Sequence, residues 1–150
     1  MDINSIKIVS NNLCYGPAPD YSDEIEQHLT ISSTGRIWCN RYIFGEGNYV
    51  LNRKEQISIG KDSAVRILGL VSDLMRTYQS CFVTDVGEWE MEIRYSNGDK
   101  KKIGGPLIGN VFVGDIDLSD YIRGEVPIEG LFVFDGGEYE EDEKAKDGNQ

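Results

Sequence analysis

The sequence predicts an α+β fold: a single domain in which a curved, mainly antiparallel sheet of about six or seven strands packs on one long helix. Apolar and polar residues alternate in several short segments, and these segments are separated by turns in a chain with 17 glycines and 4 prolines. Only residues 61–79 show apolar residues at helical spacing over several turns. A length of 150 residues suits one domain.

The strands are predicted from alternation with period two. In residues 24–32 the side chains of Ile25, Gln27, Leu29 and Ile31 share one parity, with Gln27 as a polar interruption. A turn at 33–35 joins this strand to 36–44, whose two faces both carry apolar residues. The remaining predicted strands are 3–9, a weaker strand or pair of strands within 49–59, a hairpin at 82–105, and the apolar segments 106–114 and 130–137.

Two helices are predicted. In the long one, over 61–79, a single stripe carries Ala64, Leu68, Val71, Met75 and Tyr78, which favours a helix with one buried face. A short helix is predicted near 117–123, begun by Asp117 or Ser119 as the N-cap and ended by Gly124.

The hairpin sequence "EWEMEIRYSNGDKKKI" allows two registers. A two-residue Asn-Gly turn would place Ile103 opposite Glu92, on the polar face. A three-residue loop with Gly98 in the left-handed position instead places Met91 opposite Ile103 and Glu92 opposite Lys102. We expect the second register, because it buries Ile103 and opposes unlike charges.

Charge and cysteine content exclude several functions. The net charge of −11 argues against direct nucleic-acid binding, since that affinity comes from lysine and arginine. Cys14, Cys39 and Cys81 form no CxxC pair, and His28 is the only histidine, so no zinc site is expected. No cofactor is expected. The sequence carries neither a signal-peptide pattern nor a membrane-spanning apolar run, so we expect a cytoplasmic protein that does not contact membranes.

The end of the chain differs in composition from the rest. Residues 138–150 are dense in charge and have no aliphatic side chain larger than alanine. We therefore expect a folded domain over 1–137 and a disordered acidic tail over 138–150 whose deletion leaves stability nearly unchanged.

Carboxylates and aromatic residues suggest a surface for a partner. Such side chains suit a basic protein surface, because carboxylates pair with guanidinium groups and because aromatic residues often anchor interfaces. The candidate binding residues are Glu88, Glu90 and Glu92 on one strand, Asp20, Asp23 and Glu24 in and after a loop, and Trp38 and Tyr42 on another strand. Glu88 and Glu90 are expected to be free, whereas Glu92 is expected to pair with Lys102. The alternative interpretation of these glutamates is a solvated sheet face.

A metal site is an alternative interpretation of the aspartates. The candidate ligands are Asp85, Asp115, Asp117 and Asp135, which would serve a metal-dependent hydrolase or nuclease. The stretch 115–120 lacks the glycine and the final glutamate of a calcium loop, and it is better explained by helix capping by Asp117 and a turn at Asp115.

Several stretches together resemble a group of small acidic bacterial proteins for which no activity is established. They are "SSTGRIW", "AVRILGLVSDLM", "TDVGEWEMEIRYSNG", "DLSDYIR" and "LFVFDG", within residues 24–137. The resemblance implies no catalytic residues. It suggests an accessory or mobile-element protein, among which small acidic domains act as inhibitors of the anti-CRISPR or toxin-immunity type.

The leading hypothesis is therefore a non-enzymatic acidic protein that occupies a basic site on a target protein, including a site that otherwise binds nucleic acid. The alternatives are the metal-dependent enzyme and a structural or interaction subunit without an inhibitory role.

Overall fold

A computed structural model describes residues 2–13, 17–80, 86–108 and 111–137. Its centre is a six-stranded sheet in the order β4-β3-β2-β1-β5-β6, in which every neighbouring pair is antiparallel. The strands are β1 (Ile3–Asn11), β2 (Glu24–Ser32), β3 (Arg36–Ile43), β4 (Val50–Ser58), β5 (Glu88–Tyr95) and β6 (Lys100–Pro106). The predicted α+β class is confirmed.

The long helix α1 spans Lys61–Leu74 and packs on one face of the sheet. Its buried residues join a core that also contains Ile8, Ile31 and Met91 from three different strands. The helix is five residues shorter than predicted, since tighter bonds from Arg76 to Asp73 and from Thr77 to Leu74 end it. After the helix, the ring of Tyr78 packs against the ring of Trp89, with 5.5 Å between the ring centroids.

The second helix, α2 (Leu118–Glu125), follows a small ribbon of β7 (Phe112–Val113) and β8 (Ile116–Asp117). Asp117 is its N-cap, and its carboxylate accepts a hydrogen bond from the Asp120 amide at 3.3 Å. The predicted N-cap is therefore confirmed, but the predicted end at Gly124 is wrong, because the helix continues to Glu125. The predicted strand over 106–114 is wrong, because β6 ends at Pro106 and only the two residues of β7 are extended within the rest that the structure describes.

The β5–β6 hairpin has the register that buries Ile103. Met91 lies opposite Ile103 and Glu92 opposite Lys102. Gly98 has a φ of +93° and donates its amide to the carbonyl of Tyr95, as a three-residue loop with a left-handed glycine requires. This part of the prediction is confirmed.

The apolar segment 130–137 is not the predicted strand. Glycines at both ends have positive φ, and Val133 has a φ of 45°, so the backbone cannot stay extended. Its amides and carbonyls are bound by buried side chains instead of a neighbouring strand: Gln27 contacts Phe132 and Gly130, and Ser10 donates to Val133. These side chains replace the sheet ladder, so an apolar run that alternates little forms a buried loop.

Some predictions fall on residues that the structure does not describe. Cys14, Cys81, Asp85 and the tail 138–150 lie outside the described residues. Within the described part of the chain, neither helix has the length and apolar character that crossing a bilayer requires.

Candidate functional site

The face of the sheet opposite α1 is the main candidate. Side chains of even-numbered residues in β3 and β5, and in β2 from Glu26 onward, point away from the core, as do those of Lys7 and Val9 in β1. We call this surface the open face, because neither helix of the described chain packs on it. Five of the predicted binding residues lie there: Glu88, Glu90, Glu92, Trp38 and Tyr42.

One end of the open face is basic. The two rows nearest the 96–98 loop contain one glutamate, Glu92, and five cations: Lys7, Arg36, Arg94, Lys100 and Lys102. Glu92 lies opposite both Lys7 and Lys102 and forms its ion pair with Arg94 at 3.7 Å. Its charge is therefore largely neutralised within its own surface.

The predicted pairing along β5 is wrong for Glu90, which was expected to be free, as well as for Glu92. Lys102 forms its ion pair with Glu90, at 3.4 Å, and not with Glu92, although Glu92 is directly opposite. A lysine side chain is long enough to reach the diagonal neighbour on an antiparallel ladder. Both Glu90 and Lys102 are more than half exposed, so this pair contributes little to stability. Glu88 has no ion pair with any residue that the structure describes.

The opposite end of the open face is acidic. Its two rows contain Glu26, Glu88 and Glu90, with Lys54 as the cation on the outer strand. Glu26 and Glu88 flank Asn11 in a single row across β2, β1 and β5. We call these three glutamates the acidic end of the open face.

Glu26 is the best-organised carboxylate of the acidic end. One carboxylate oxygen lies 2.8 Å from Nε2 of His28, and the other accepts a hydrogen bond from the Asn11 amide at 3.1 Å. The hydrogen bond with His28 lowers the pKa of Glu26 against the opposing effect of burial, with Asn11 and the charge of Lys7 helping. Glu26 is therefore held ionised in a fixed position.

Aromatic rings lie beside the acidic end. The ring of His28 contacts that of Tyr42 at 4.8 Å, and Tyr49 contacts Phe44 at 6.3 Å while its hydroxyl accepts a hydrogen bond from Asn11. Trp38 is half-buried on the same strand as Tyr42 but two rows away, about 13 Å along β3. Tyr42 is thus next to the carboxylates, and Trp38 lies in a row with the basic end.

The predicted loop acids divide into two groups. Asp20 and Asp23 are exposed at the end of the sheet that carries Glu26, where the Asp23 carboxylate accepts the amide of Asp20 at 2.9 Å. Glu24 contacts Gln27 at 2.6 Å and lies 3.9 Å from buried Arg41, on the core side of the sheet. Glu24 therefore has a structural role and does not lie on the open face.

The aspartates of the alternative metal site are only partly brought together. Ligand oxygens of Asp117, Asp120 and Asp135 lie within 4.8 Å of one another, whereas Asp115 is outside this group. Arg123 forms ion pairs with both Asp120 and Asp135 and also donates to the carbonyl of Leu131 at 3.1 Å. The guanidinium thus occupies the place in which a cation would neutralise these carboxylates.

A buried cysteine and a surface groove lie outside the open face. Cys39 is fully buried, and burial raises the pKa of its thiol, so it fits the inert core cysteine expected from its apolar context. A shallow groove of about 490 Å³ lies between α1 and α2, lined by Arg66, Gly69, Leu70, Ser72, Asp73, Ile116 and Tyr121. Its lining contains Ser72 and Asp73 but no histidine that could act as general base for the serine.

Comparison with known proteins adds no assignment. Neither the models of known protein families nor the curated protein sequences gave a match to this chain.

Sequence reasoning missed the residues that organise the acidic end. The sequence assigned no binding role to Asn11, Glu26, His28 or Tyr49. The alternation in 24–32 placed Glu26 and His28 on one face, but the pairing of β2 with β1 that brings Asn11 beside Glu26 has no local signal.

Proposed function

We propose that this protein is a non-enzymatic binding protein that holds a basic segment of a target protein against the acidic end of its open face. The observation that carries the proposal is the cluster of Glu26, Glu88 and Glu90 on one uncovered sheet face, next to the ring of Tyr42. A target that uses the same basic segment to bind nucleic acid would be inhibited, because the two ligands would compete.

The arrangement suits guanidinium and ammonium groups of a partner. Glu26 is fixed and ionised, and Glu88 is exposed without a cation among the described residues. An arginine side chain can donate two hydrogen bonds to one carboxylate and can stack on a tyrosine ring. The basic end of the same face discourages binding in the reverse orientation, since it would oppose cations of the target.

Electrostatic steering follows from the charge distribution. The chain carries −11 overall, so a basic target is attracted over distances comparable with the Debye length of about 8 Å at physiological salt. We expect association to slow and affinity to fall as salt rises.

The proposal is tested by capture of target proteins with two matched variants. The first, Glu88→Lys with Glu90→Lys, reverses two charges of the acidic end. The second, Asp62→Lys with Asp73→Lys, makes the same change in net charge at exposed positions of α1. A target retained by the parent and the α1 variant at low salt, and lost by the open-face variant, supports the proposal. Equal retention by all three proteins would refute it.

The metal-dependent enzyme is the weaker alternative. Its strongest cluster, Asp117, Asp120 and Asp135, already has Arg123 as counter-ion and holds a helix cap and a buried loop. The positions of these carboxylates are therefore explained by structural roles.

A further inference from the structure

We propose that the outer edge of β4 (Val50–Ser58) is a second binding site, which accepts an extended acidic segment of a partner protein as an additional strand of the sheet. This surface is separate from the acidic end of the open face, and the proposal does not depend on the function proposed above.

The backbone of β4 offers hydrogen-bonding groups to such a strand. The Ile59 amide donates to the carbonyl of Gly35 at 2.8 Å, in the register that pairs Arg36 with Ser58. Hydrogen-bonded pairs alternate along an antiparallel ladder, so the backbone groups of Lys54, Gln56 and Ser58 point away from β3. These groups have no hydrogen-bond partner among the residues that the structure describes.

At the opposite edge of the sheet, on β6, outward backbone groups are already hydrogen-bonded or lack a donor. On β6 the groups of Gly104 point outward, and Ser80 Oγ accepts the Gly104 amide at 3.1 Å while the Tyr78 hydroxyl donates to its carbonyl at 3.3 Å. Pro106, the next outward position, has no amide hydrogen. Native proteins protect sheet edges by such devices. Within the described residues β4 has none of these three, and its edge is protected only by the charge of Lys54 and by a bulge between Leu51 and Arg53.

The side chains of the β4 edge favour an acidic occupant. Arg53 is 59% exposed, and Lys54 and the adjacent Arg36 are exposed too. The one acid, Glu55, is half-buried and already lies 3.2 Å from Arg41 and 3.5 Å from Arg53. The edge therefore presents a positive charge in a chain that is acidic overall.

The same charges argue against a second copy of this chain as the occupant. Two β4 strands paired about a two-fold axis would bring Arg53 and Lys54 of one copy close to those of the other, and both molecules carry −11. A strand with glutamate or aspartate at alternate positions instead meets Lys54 and Arg36 on one face while its backbone bonds to Lys54, Gln56 and Ser58.

The test uses the full chain and a fluorescein-labelled ten-residue peptide in which glutamate alternates with valine and threonine. A second peptide has lysine in place of each glutamate. Fluorescence anisotropy at low salt is expected to show that the protein binds the glutamate peptide and does not bind the lysine peptide. Hydrogen exchange is expected to show protection of the amides of Lys54, Gln56 and Ser58 in the complex.

Proline variants test whether the backbone of the edge is used. Gln56→Pro removes an outward amide without breaking a bond to β3, since proline is tolerated at such edge positions. We expect it to weaken peptide binding by about tenfold. Lys102→Pro is the matched control at an outward position of β6, and it is expected to leave binding unchanged.

If Gln56→Pro lowers the melting temperature, a charge-reversal variant of β4, Arg53→Glu with Lys54→Glu, is used in its place. The matched control is the double variant Lys100→Glu with Lys101→Glu on β6. Loss of binding only with the β4 change supports the proposal. It is overturned if the glutamate peptide does not bind, if both peptides bind equally, or if the β4 and β6 variants behave alike. A dimer of the free chain with protected β4 amides would also overturn it, by identifying a second copy as the occupant.

Discussion

Replacement of Gln27 by leucine tests how the buried loop 130–137 is held. Gln27 is 1% exposed, and its amide group accepts from Phe132 at 2.8 Å and donates to Gly130 at 2.7 Å. Leucine has a similar size, so little cavity forms, but the two backbone groups lose their partner. An unsatisfied amide at buried Phe132 costs about 1–3 kcal/mol, and exposed Gly130 adds about 0.5–1.5 kcal/mol.

We therefore expect Gln27→Leu to lower the free energy of unfolding by about 1.5–4.5 kcal/mol. The assay is urea denaturation at 25 °C followed by circular dichroism, with the midpoint and the slope measured separately. Gln56→Leu, at an exposed position of β4, is the control and should change the free energy of unfolding by no more than about 0.5 kcal/mol. A loss below about 1 kcal/mol for Gln27→Leu would refute the role given to this side chain.

Three further predictions address single contacts. Glu26→Gln should make the free energy of unfolding depend less on pH in acid. The lowered pKa of Glu26 stabilises the fold above the unfolded pKa of about 4.3, and this stabilisation disappears as pH falls through the folded pKa. The melting temperatures of the parent and the variant, measured between pH 3 and 6, test this expectation. If both melting temperatures fall equally with pH, the stabilising contact between Glu26 and His28 is contradicted. Gly105→Ala should lower the free energy of unfolding by about 1–3 kcal/mol, because the added methyl group would overlap the Tyr78 hydroxyl. Gly124→Ala, whose added methyl group meets nothing within 4 Å, is the control in the same urea assay. Because Gly124 lies in α2, this control should leave the free energy of unfolding unchanged or raise it by up to about 1 kcal/mol. Manganese or calcium at millimolar concentration should leave the melting temperature unchanged, since Arg123 already pairs with two of the three clustered aspartates. A clear increase that disappears in Asp120→Ala would contradict this.

Local pattern was enough to predict most of the sheet. The parity of Trp89, Met91 and Ile93 defined the buried face of β5, and the need to bury Ile103 selected the hairpin register that the structure has. The capping chemistry of Asp117 likewise depends on near neighbours in the chain. Each of these features is decided by residues within about a dozen positions of one another.

The errors have a different physical origin. The loop 130–137 contains the apolar run of a strand, but Ser10, Gln27 and Ser119 bind its backbone from distant parts of the chain. The helix α1 ends early because the chain must bring Tyr78 and Ser80 to the edge of β6. Such long-range contacts leave no periodic signal in the sequence.

The candidate site was predicted in composition but not in arrangement. The sequence indicated Glu88 and Glu90 as candidates, and both lie on the open face. The division of that face into acidic and basic ends depends on the strand order, which places β1 between β2 and β5. Only this order brings Glu26 into the row of Glu88 and places Glu92 between Lys7 and Lys102.

The most direct test of the proposed binding function measures the affinity of a captured and purified target for three proteins at several salt concentrations. These are the parent, Glu88→Lys with Glu90→Lys, and the α1 control Asp62→Lys with Asp73→Lys. We expect the open-face variant to bind about tenfold to a hundredfold more weakly at low salt, with a reduced dependence on salt, and the α1 control to stay close to the parent. Equal weakening in both variants would show that only net charge matters, and it would contradict a binding site at the acidic end of the open face.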